Sequence, residues 1–493
     1  NFMKYIGLFF GTMMTMANSC LGAAMLQLPY RFAQLGFTLG TVYFVFVTIF
    51  SFWSFRVITK ICGECKTYSV RSMLMRTCGK WARLLIDIST VGMYFGGLCG
   101  YCVIGSDYIH SAYMWIAHIK PCDEPTIFDP AQCTSYEQCE HDFKMRSLYC
   151  QLIMGLGVFM LESLISNIKI LSTISSFALI IVIVTVICVV VRVSQTLASG
   201  VLPNAEVPWV RPSPAIPNIP DLAHALIDLP SFFGLYSLQA LIPPYYGEIS
   251  IPVEDRQPLI KRSSDVTMVV ISVLYYVMGM TGPLIFNGKN QDEAYQHDNI
   301  LNNFSSSDIL MSVIKIMYTV VIIVSFPVIL FTLRSSLCAW FGIDRKSTKK
   351  HAMYYYLIGV TLCVLVTALA ILVPQLSIIM DIFSSIFGCV IFQLMPLMIN
   401  VNQHKGNYQV VGEESTAAET EHLVKSEDSV DNHTEGDKQI GEGVGELKEI
   451  SKNWKVTNYV AGIVIIIYNA ISLIYTLVNL FSSESDPGVC EKK

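Results

Sequence analysis

The sequence predicts an all-α polytopic membrane protein with eleven transmembrane helices, and three observations carry that expectation. Hydrophobic residues make up 53% of the 493 and charged residues only 14%, against about 25% charged in an ordinary soluble protein. Apolar runs of about 20 residues, enough to cross roughly 30 Å of hydrocarbon at 1.5 Å per residue, recur between polar breaks. These runs do not alternate in polarity as the ~10-residue strands of a barrel do, so their backbone groups must be satisfied within helices.

The eleven runs cover residues 5–30, 37–61, 84–116, 148–166, 170–195, 223–249, 265–286, 308–334, 354–374, 377–401 and 455–481. The connections predict the orientation. Fifteen basic residues fall in those on one side and seven in those on the other, which places the N-terminus in the cytosol and, after an odd number of crossings, the C-terminus outside. Residues 402–453 hold 12 of the 38 acids and 5 of the 33 bases, a net of −7 that leaves +2 for the rest of the chain. That composition predicts a disordered acidic cytosolic loop, and no basic stripe suggests a nucleic-acid partner. The opening residues, Asn1-Phe2-Met3, carry no signal-peptide features, and some N-terminal sequence is expected to be missing.

The polar stretch 117–147 falls outside and holds Cys122, Cys133 and Cys139, with Cys150 just beyond. These four are the disulfide candidates, and they allow three pairings. The sequon Asn303-Phe304-Ser305 also falls outside and is the expected glycosylation site, whereas Asn432-His433-Thr434 falls in the cytosol. Six prolines from Pro203 to Pro220 favour a semi-rigid outer cover. Cys62-Gly63-Glu64-Cys65 has metal-like spacing but lacks a second ligand pair.

Two spans are interrupted in the same way. The first contains Ala17-Asn18-Ser19-Cys20-Leu21-Gly22-Ala23-Ala24 followed by Pro29. The sixth contains Gly234-Leu235-Tyr236-Ser237-Leu238-Gln239-Ala240 followed by Pro243-Pro244. Small residues also serve close helix packing. Matched breaks in two halves point instead to a transporter built from inverted repeats, residues 5–195 and 223–401, with an eleventh helix at 455–481, all within one transmembrane domain spanning 1–481. Freed N–H groups there can hold a carboxylate and freed carbonyls a cation, which suits an amino acid and a coupling ion.

These residues resemble a known family. Asn18 with Gly22, Leu26, Leu28, Pro29 and Tyr30 is similar to the helix 1 signature of the amino acid/auxin permease family, especially its sodium-coupled neutral amino acid transporters. Pro230-Ser231 through Pro244, Tyr246 and Glu248 resembles its helix 6, and Gly282-Pro283-Leu284-Ile285-Phe286 the end of its helix 7. Ser325-Phe326-Pro327-Val328 with Arg334-Ser335-Ser336 resembles its helix 8. The resemblance implies the five-plus-five fold of the bacterial leucine transporter. It also implies a sodium site at Asn18 and Ser325 with carbonyls near Ala17 and Cys20. Ala24 stands where relatives usually have glycine, and Gln239 where a histidine is frequent.

The resulting expectation is a secondary active transporter for small or medium neutral amino acids, coupled to Na+ or H+ and needing no other cofactor. The substrate carboxylate would meet the amides of Leu21, Gly22, Ala23 and Ala24, its ammonium the helix 6 carbonyls near Tyr236 and Ser237, and its side chain Gln239 and Tyr236. Neither break holds an acid or a base, so a charged side chain would go uncompensated. Lys315, Glu162 and Asp381 are intramembrane charges expected to serve coupling or gating. Two strings, Asp255 to Ile260 and Tyr408 to Val411, have the form of clathrin-adaptor signals, which leaves plasma membrane and endolysosomal or vacuolar residence both open. A proton-linked exporter of those compartments and an amino acid sensor on the same fold remain alternatives. No P-loop, His-Glu-x-x-His or Gly-x-Ser-x-Gly string suggests an enzyme.

Overall fold

The computed structural model describes residues 2–22, 24–65, 69–119, 130–163, 168–199, 230–237, 239–249, 251–285, 297–304, 308–343, 348–404 and 452–482. Among these every regular element is a helix. The first span divides into α1 (Phe2–Cys20) and α2 (Ala24–Leu35), separated at Leu21 and Gly22. There follow α3 (Phe37–Cys65), the short α4 (Val70–Thr77), the long α5 (Lys80–Ile116) and α6 (Pro130–Leu152), which passes through a π-helix at Ile153–Phe159 into α7 (Met160–Glu162). After α8 (Ile168–Ser199), the sixth span is again divided, into α9 (Pro230–Gly234) and α10 (Ile242–Glu248).

The second half continues with α11 (Val253–Ile285), α12 (Ile309–Trp340) and α13 (Lys349–Leu372). The tenth span runs from α14 (Leu376–Phe383) through a π-helix at Ser384–Leu394 into α15 (Met395–His404), and α16 (Lys452–Ser482) ends the described chain.

Local chemistry sets several of these boundaries. Ser69, Asp308 and Thr348 sit in extended backbone just before α4, α12 and α13, and each side chain accepts from an N–H two or three residues into its helix. That satisfies one of the donors a helix start leaves orphaned. Pro29, Pro258 and Pro283 lie inside helices, where each removes a hydrogen bond and crowds the preceding turn.

Eight described helices are by themselves long and apolar enough to cross a membrane. The sequence expectation of eleven differs from this for a physical reason. The first and sixth expected spans are divided at their breaks, and the fourth is a mixed α/π element whose first half is polar. The expected outer loop 117–147 also needs correction. Helix α6 starts at Pro130, so only residues up to 129 can be loop, and Cys139 and Cys150 both lie on that helix. Cys150 is a buried free thiol, whereas Cys139 is not free. Cys122 and Tyr408 to Val411 lie outside the described residues, as does most of the acidic segment, although helix continues to His404 and resumes at Lys452.

The packing reproduces the repeat. Shifting each expected span by five maps its neighbours onto one another. Helices α1 and α2 pack on α11, as α9 and α10 pack on α3. Helix α8 packs on α12, as α14 and its π-helix pack on α5. Helix α6 packs on α5, as α13 packs on α12. The contacts α5 with α12 and α3 with α11 map onto themselves. An odd number of crossings per half inverts the second half relative to the first. Helix α16 lies outside this scheme against the π-helix of the tenth span, joined by Ser385–Ser472 at 3.3 Å and by Asn469 donating to Gln393 at 3.1 Å. Its other face, with Val460, Ile463, Val464, Ile467, Ile471 and Ile474, is exposed and apolar, as a lipid-facing helix requires.

Candidate functional site

The two breaks come together at the centre of the bundle. At the first, the Leu21 amide still donates to Ala17 O at 3.0 Å, the Gly22 amide turns back to Cys20 O at 2.8 Å, and Met25 donates to Gly22 O at 3.2 Å. The expectation that Leu21 and Gly22 offer free amides is therefore corrected, because both are tied to backbone carbonyls. Ala24, heading α2 and half-buried, is the described amide of that stretch with no such tie. Ala23 and the side chain of Asn18 lie outside the described residues, and Ala17 is buried.

Tyrosines from three other spans close around the breaks. Tyr275 of α11, fully buried, donates its hydroxyl toward Cys20 O at 2.7 Å and Leu235 O at 2.9 Å, one carbonyl from each break. Tyr318 of α12 donates to Gly22 O at 3.3 Å. A side chain added at Gly22 would meet the Tyr101 hydroxyl of α5 at 3.3 Å, and that hydroxyl lies near Ser325. Tyr236, in the second break, holds Thr48 of α3 at 2.8 Å and Ser272 of α11 at 2.9 Å. The Cys20 side chain lies against the backbone of Ser237. Sequence reasoning found Tyr236, Ser237 and Ser325 but missed Tyr101, Tyr275 and Tyr318. The signal it passed over was tyrosine within apolar runs, since a buried phenol usually seeks a partner for its polar tip.

Gln239 is fully buried in the second break, and neither its amide oxygen nor its amide nitrogen has a hydrogen-bond partner among the described residues. A buried unpaired amide is costly, on the order of 1–3 kcal/mol per group.

The three intramembrane charges are dispersed. Asp381 meets Arg31 at 2.5 Å, with the side chains 5% and 4% exposed, joining α14 to α2. Lys315 donates to Ser111 Oγ and Phe304 O, both at 3.0 Å. Nearby, Asn302 donates to Asp107 at 3.0 Å, and the Ser377 amide at the head of α14 donates to Asp298 at 2.6 Å. Lys315 and Asp381 thus belong to one polar layer at one end of the bundle, and Glu162 to the other end. There Glu162 is buried with one carboxylate oxygen unpartnered, beside Ser163, whose carbonyl accepts from the buried Arg334 at 2.5 Å. None of the three touches the breaks in any described contact. Arg31, Asp107 and Asp298 were not singled out from sequence.

Two further expectations are corrected. Asn303 is buried, and its amide oxygen accepts from the His297 backbone at 2.8 Å. Its amide nitrogen donates to the carbonyls of His297, Asn299 and Ile300 at 3.2–3.4 Å. The folded loop uses this side chain as its own knot and does not offer it to a glycan. Leu259 and Ile260 are fully buried within α11, so the string from Asp255 to Ile260 is not an exposed adaptor signal. Cys62 and Cys65 are buried thiols, and among the described residues no three His, Cys, Asp or Glu side chains gather as a metal site.

Comparison with known proteins gives a consistent picture. The family model described as "Transmembrane amino acid transporter protein" matches residues 9–411. "Putative sodium-coupled neutral amino acid transporter 11" of Bos taurus is 21% identical over 77% of this chain and 73% of its own length. "Amino acid transporter AVT6C" of Arabidopsis thaliana is 20% identical over 74% and 79%. Among solved structures, a manganese transporter of Eremococcus coleocola aligns over 97% of this chain and 88% of its own with a TM-score of 0.52 at 12% identity. At that identity the likeness concerns the fold alone.

Proposed function

The chain belongs to the transmembrane amino acid transporter family, and from that premise we propose that it carries small or medium neutral L-amino acids between its two helix breaks by alternating access, driven by Na+ or H+. As a family member it is a multi-pass membrane protein that moves amino acids and not an enzyme. The observation that carries the finer reading is the meeting of the breaks, where Cys20 O and Leu235 O lie within hydrogen-bonding distance of one hydroxyl. Carbonyls from two repeats aimed at one point suit an ammonium, and the head of α2 suits a carboxylate.

Neutral side chains follow from the absence of any acid or base in residues 17–30 and 234–245, because an uncompensated charge at that depth costs at least about 2.5 kcal/mol. Gln239 supports a substrate side chain able to exchange hydrogen bonds with an amide. The coupling ion is placed near Ala17, Asn18, Cys20 and Ser325, where oxygen ligands suit a hard cation. Uptake into proteoliposomes from a panel of amino acids, with and without sodium and proton gradients, tests this directly. Neutral substrates are expected to accumulate under one gradient, Ser325→Ala to weaken ion dependence more than substrate affinity, and Gly22→Val to abolish uptake while leaving surface expression intact. Efficient uptake of lysine or glutamate without neutral competition overturns the substrate class, and ligand binding without flux turns the reading to a sensor.

A further inference from the structure

Tyr275 has one hydroxyl hydrogen and two backbone acceptors, Cys20 O at 2.7 Å and Leu235 O at 2.9 Å. A phenol is a single donor, and Cys20 O also accepts from the Gly22 amide at 2.8 Å, so between them the amide and the hydroxyl can meet both carbonyls. The ring cannot easily turn aside. It is fully buried and meets Tyr236 edge-on with centroids 5.7 Å apart. Tyr236 is itself pinned by Thr48 and by Ser272, one turn before Tyr275 on the same helix.

We infer that Tyr275 is a stand-in for the substrate's ammonium: its hydroxyl tethers the two breaks when the site is empty and yields both carbonyls when an amino acid arrives. This rests on the placement of the α-ammonium between the breaks. An ammonium brings three donors, enough for both carbonyls with one to spare, so it can take over both contacts of the single hydroxyl. The residue thereby favours an N–H-rich cationic group over an occupant with a single donor, and it makes the empty site self-satisfied rather than open. The plainer account is that a phenol merely satisfies carbonyls freed by a broken membrane helix, as neighbouring side chains commonly do. Under that account the tether is the same in the filled and empty states. Under the inference it belongs to the empty state alone.

The test uses the purified full chain and Tyr275→Phe, which removes one oxygen and keeps the ring. Thermal unfolding is measured without ligand and with saturating L-alanine, L-serine or L-glutamine, and uptake kinetics are measured alongside. The variant is expected to melt below wild type when empty and to approach it when filled, so its ligand-induced shift is larger. KM for the transported amino acid should fall about five-fold, the worth of one displaced hydrogen bond. Equal loss in the filled and empty states, with KM unchanged or raised, makes Tyr275 scaffold and overturns the inference while the site reading stands. If none of the three amino acids shifts wild type, the site reading fails and the inference falls with it. Should Tyr275→Phe not fold, 3,5-difluorotyrosine encoded at position 275 keeps the hydroxyl and strengthens it as a donor. KM should then rise, and a fall or no change counts against the inference.

Discussion

Replacing Asp381 with Asn removes the carboxylate that faces Arg31 at 2.5 Å in a place where the two side chains are 5% and 4% exposed. The Arg31 guanidinium also reaches Ser377 O at 3.5 Å, the limit of a hydrogen bond. Breaking a buried pair from one side leaves an uncompensated ion and costs about 3–5 kcal/mol, whereas removing both charges is often close to neutral. The pair joins α2 to α14, and under the proposed function, with this end facing outward, a substrate entering from outside requires these helices to part and the groups to hydrate. Asp381→Asn should therefore shift the balance toward the outer-open arrangement by roughly a hundred- to several-thousand-fold. Uptake should be lost, and sites lining the outer end should become reactive to membrane-impermeant thiol reagents. The double change Arg31→Met with Asp381→Asn should recover most of the closure, so the two single losses together should exceed the double's by several kcal/mol in the double-mutant cycle. Additive losses, with no recovery in the double variant, would show that the pair does not hold the outer end.

What sequence could reach divides along physical lines. Apolar runs report burial in lipid, and the two breaks were legible because small and polar residues followed by proline disrupt a helix whatever surrounds it. Helix α6 was not legible, since residues 130–147 are too polar to register as part of a span and nothing local distinguishes a polar helix from a loop. The π-helices at Ile153–Phe159 and Ser384–Leu394 share the apolar pattern of an α-helix and differ only in hydrogen-bond register. Partnerships across the chain were beyond reach altogether. Arg31 and Asp381 are 350 positions apart, and Tyr275 and Cys20 are 255 apart. The sequence marked Asp381 as a costly charge without naming what it pairs with, and it marked the Cys20 carbonyl as free when a phenol from another span already holds it. Asn303 and Leu259-Ile260 mislead in the opposite direction. Their motifs are plain in the sequence, but a motif carries no information about burial.

Native cysteine mapping should find Cys139 protected and joined to Cys122, because Cys133 lies six residues before it on the same helix, beyond disulfide reach, and Cys150 alkylated once the membrane is solubilised; alkylation of all four in intact membranes would contradict an outer disulfide. Endoglycosidase treatment should leave the mobility of the folded transporter unchanged at Asn303, and Asn303→Gln should lower stability rather than remove a glycan; a mobility shift lost in that variant would overturn the buried-knot assignment. The close approach of the two repeats gives the last expectation. Gly282 of α11 lies against the backbone of Pro29 in α2, and a Cβ built there overlaps the Pro29 carbonyl. Backbone cannot swing aside as a flexible side chain does, so Gly282→Ala must push α2 away from α11 at the very turn that follows the first break. Overpacking of this kind costs about 1–3 kcal/mol, against at most about 1 kcal/mol gained by replacing a helical glycine with alanine, so the net sign is destabilising. Gly97, inside α5 with nothing within 4 Å of a built Cβ, supplies the control: there only the propensity gain operates, and Gly97→Ala should be neutral or slightly stabilising. Thermal unfolding of the two variants beside wild type separates them. Equal behaviour, or a Gly282→Ala variant with normal stability and uptake, would mean that α2 and α11 do not pack backbone to backbone at this turn.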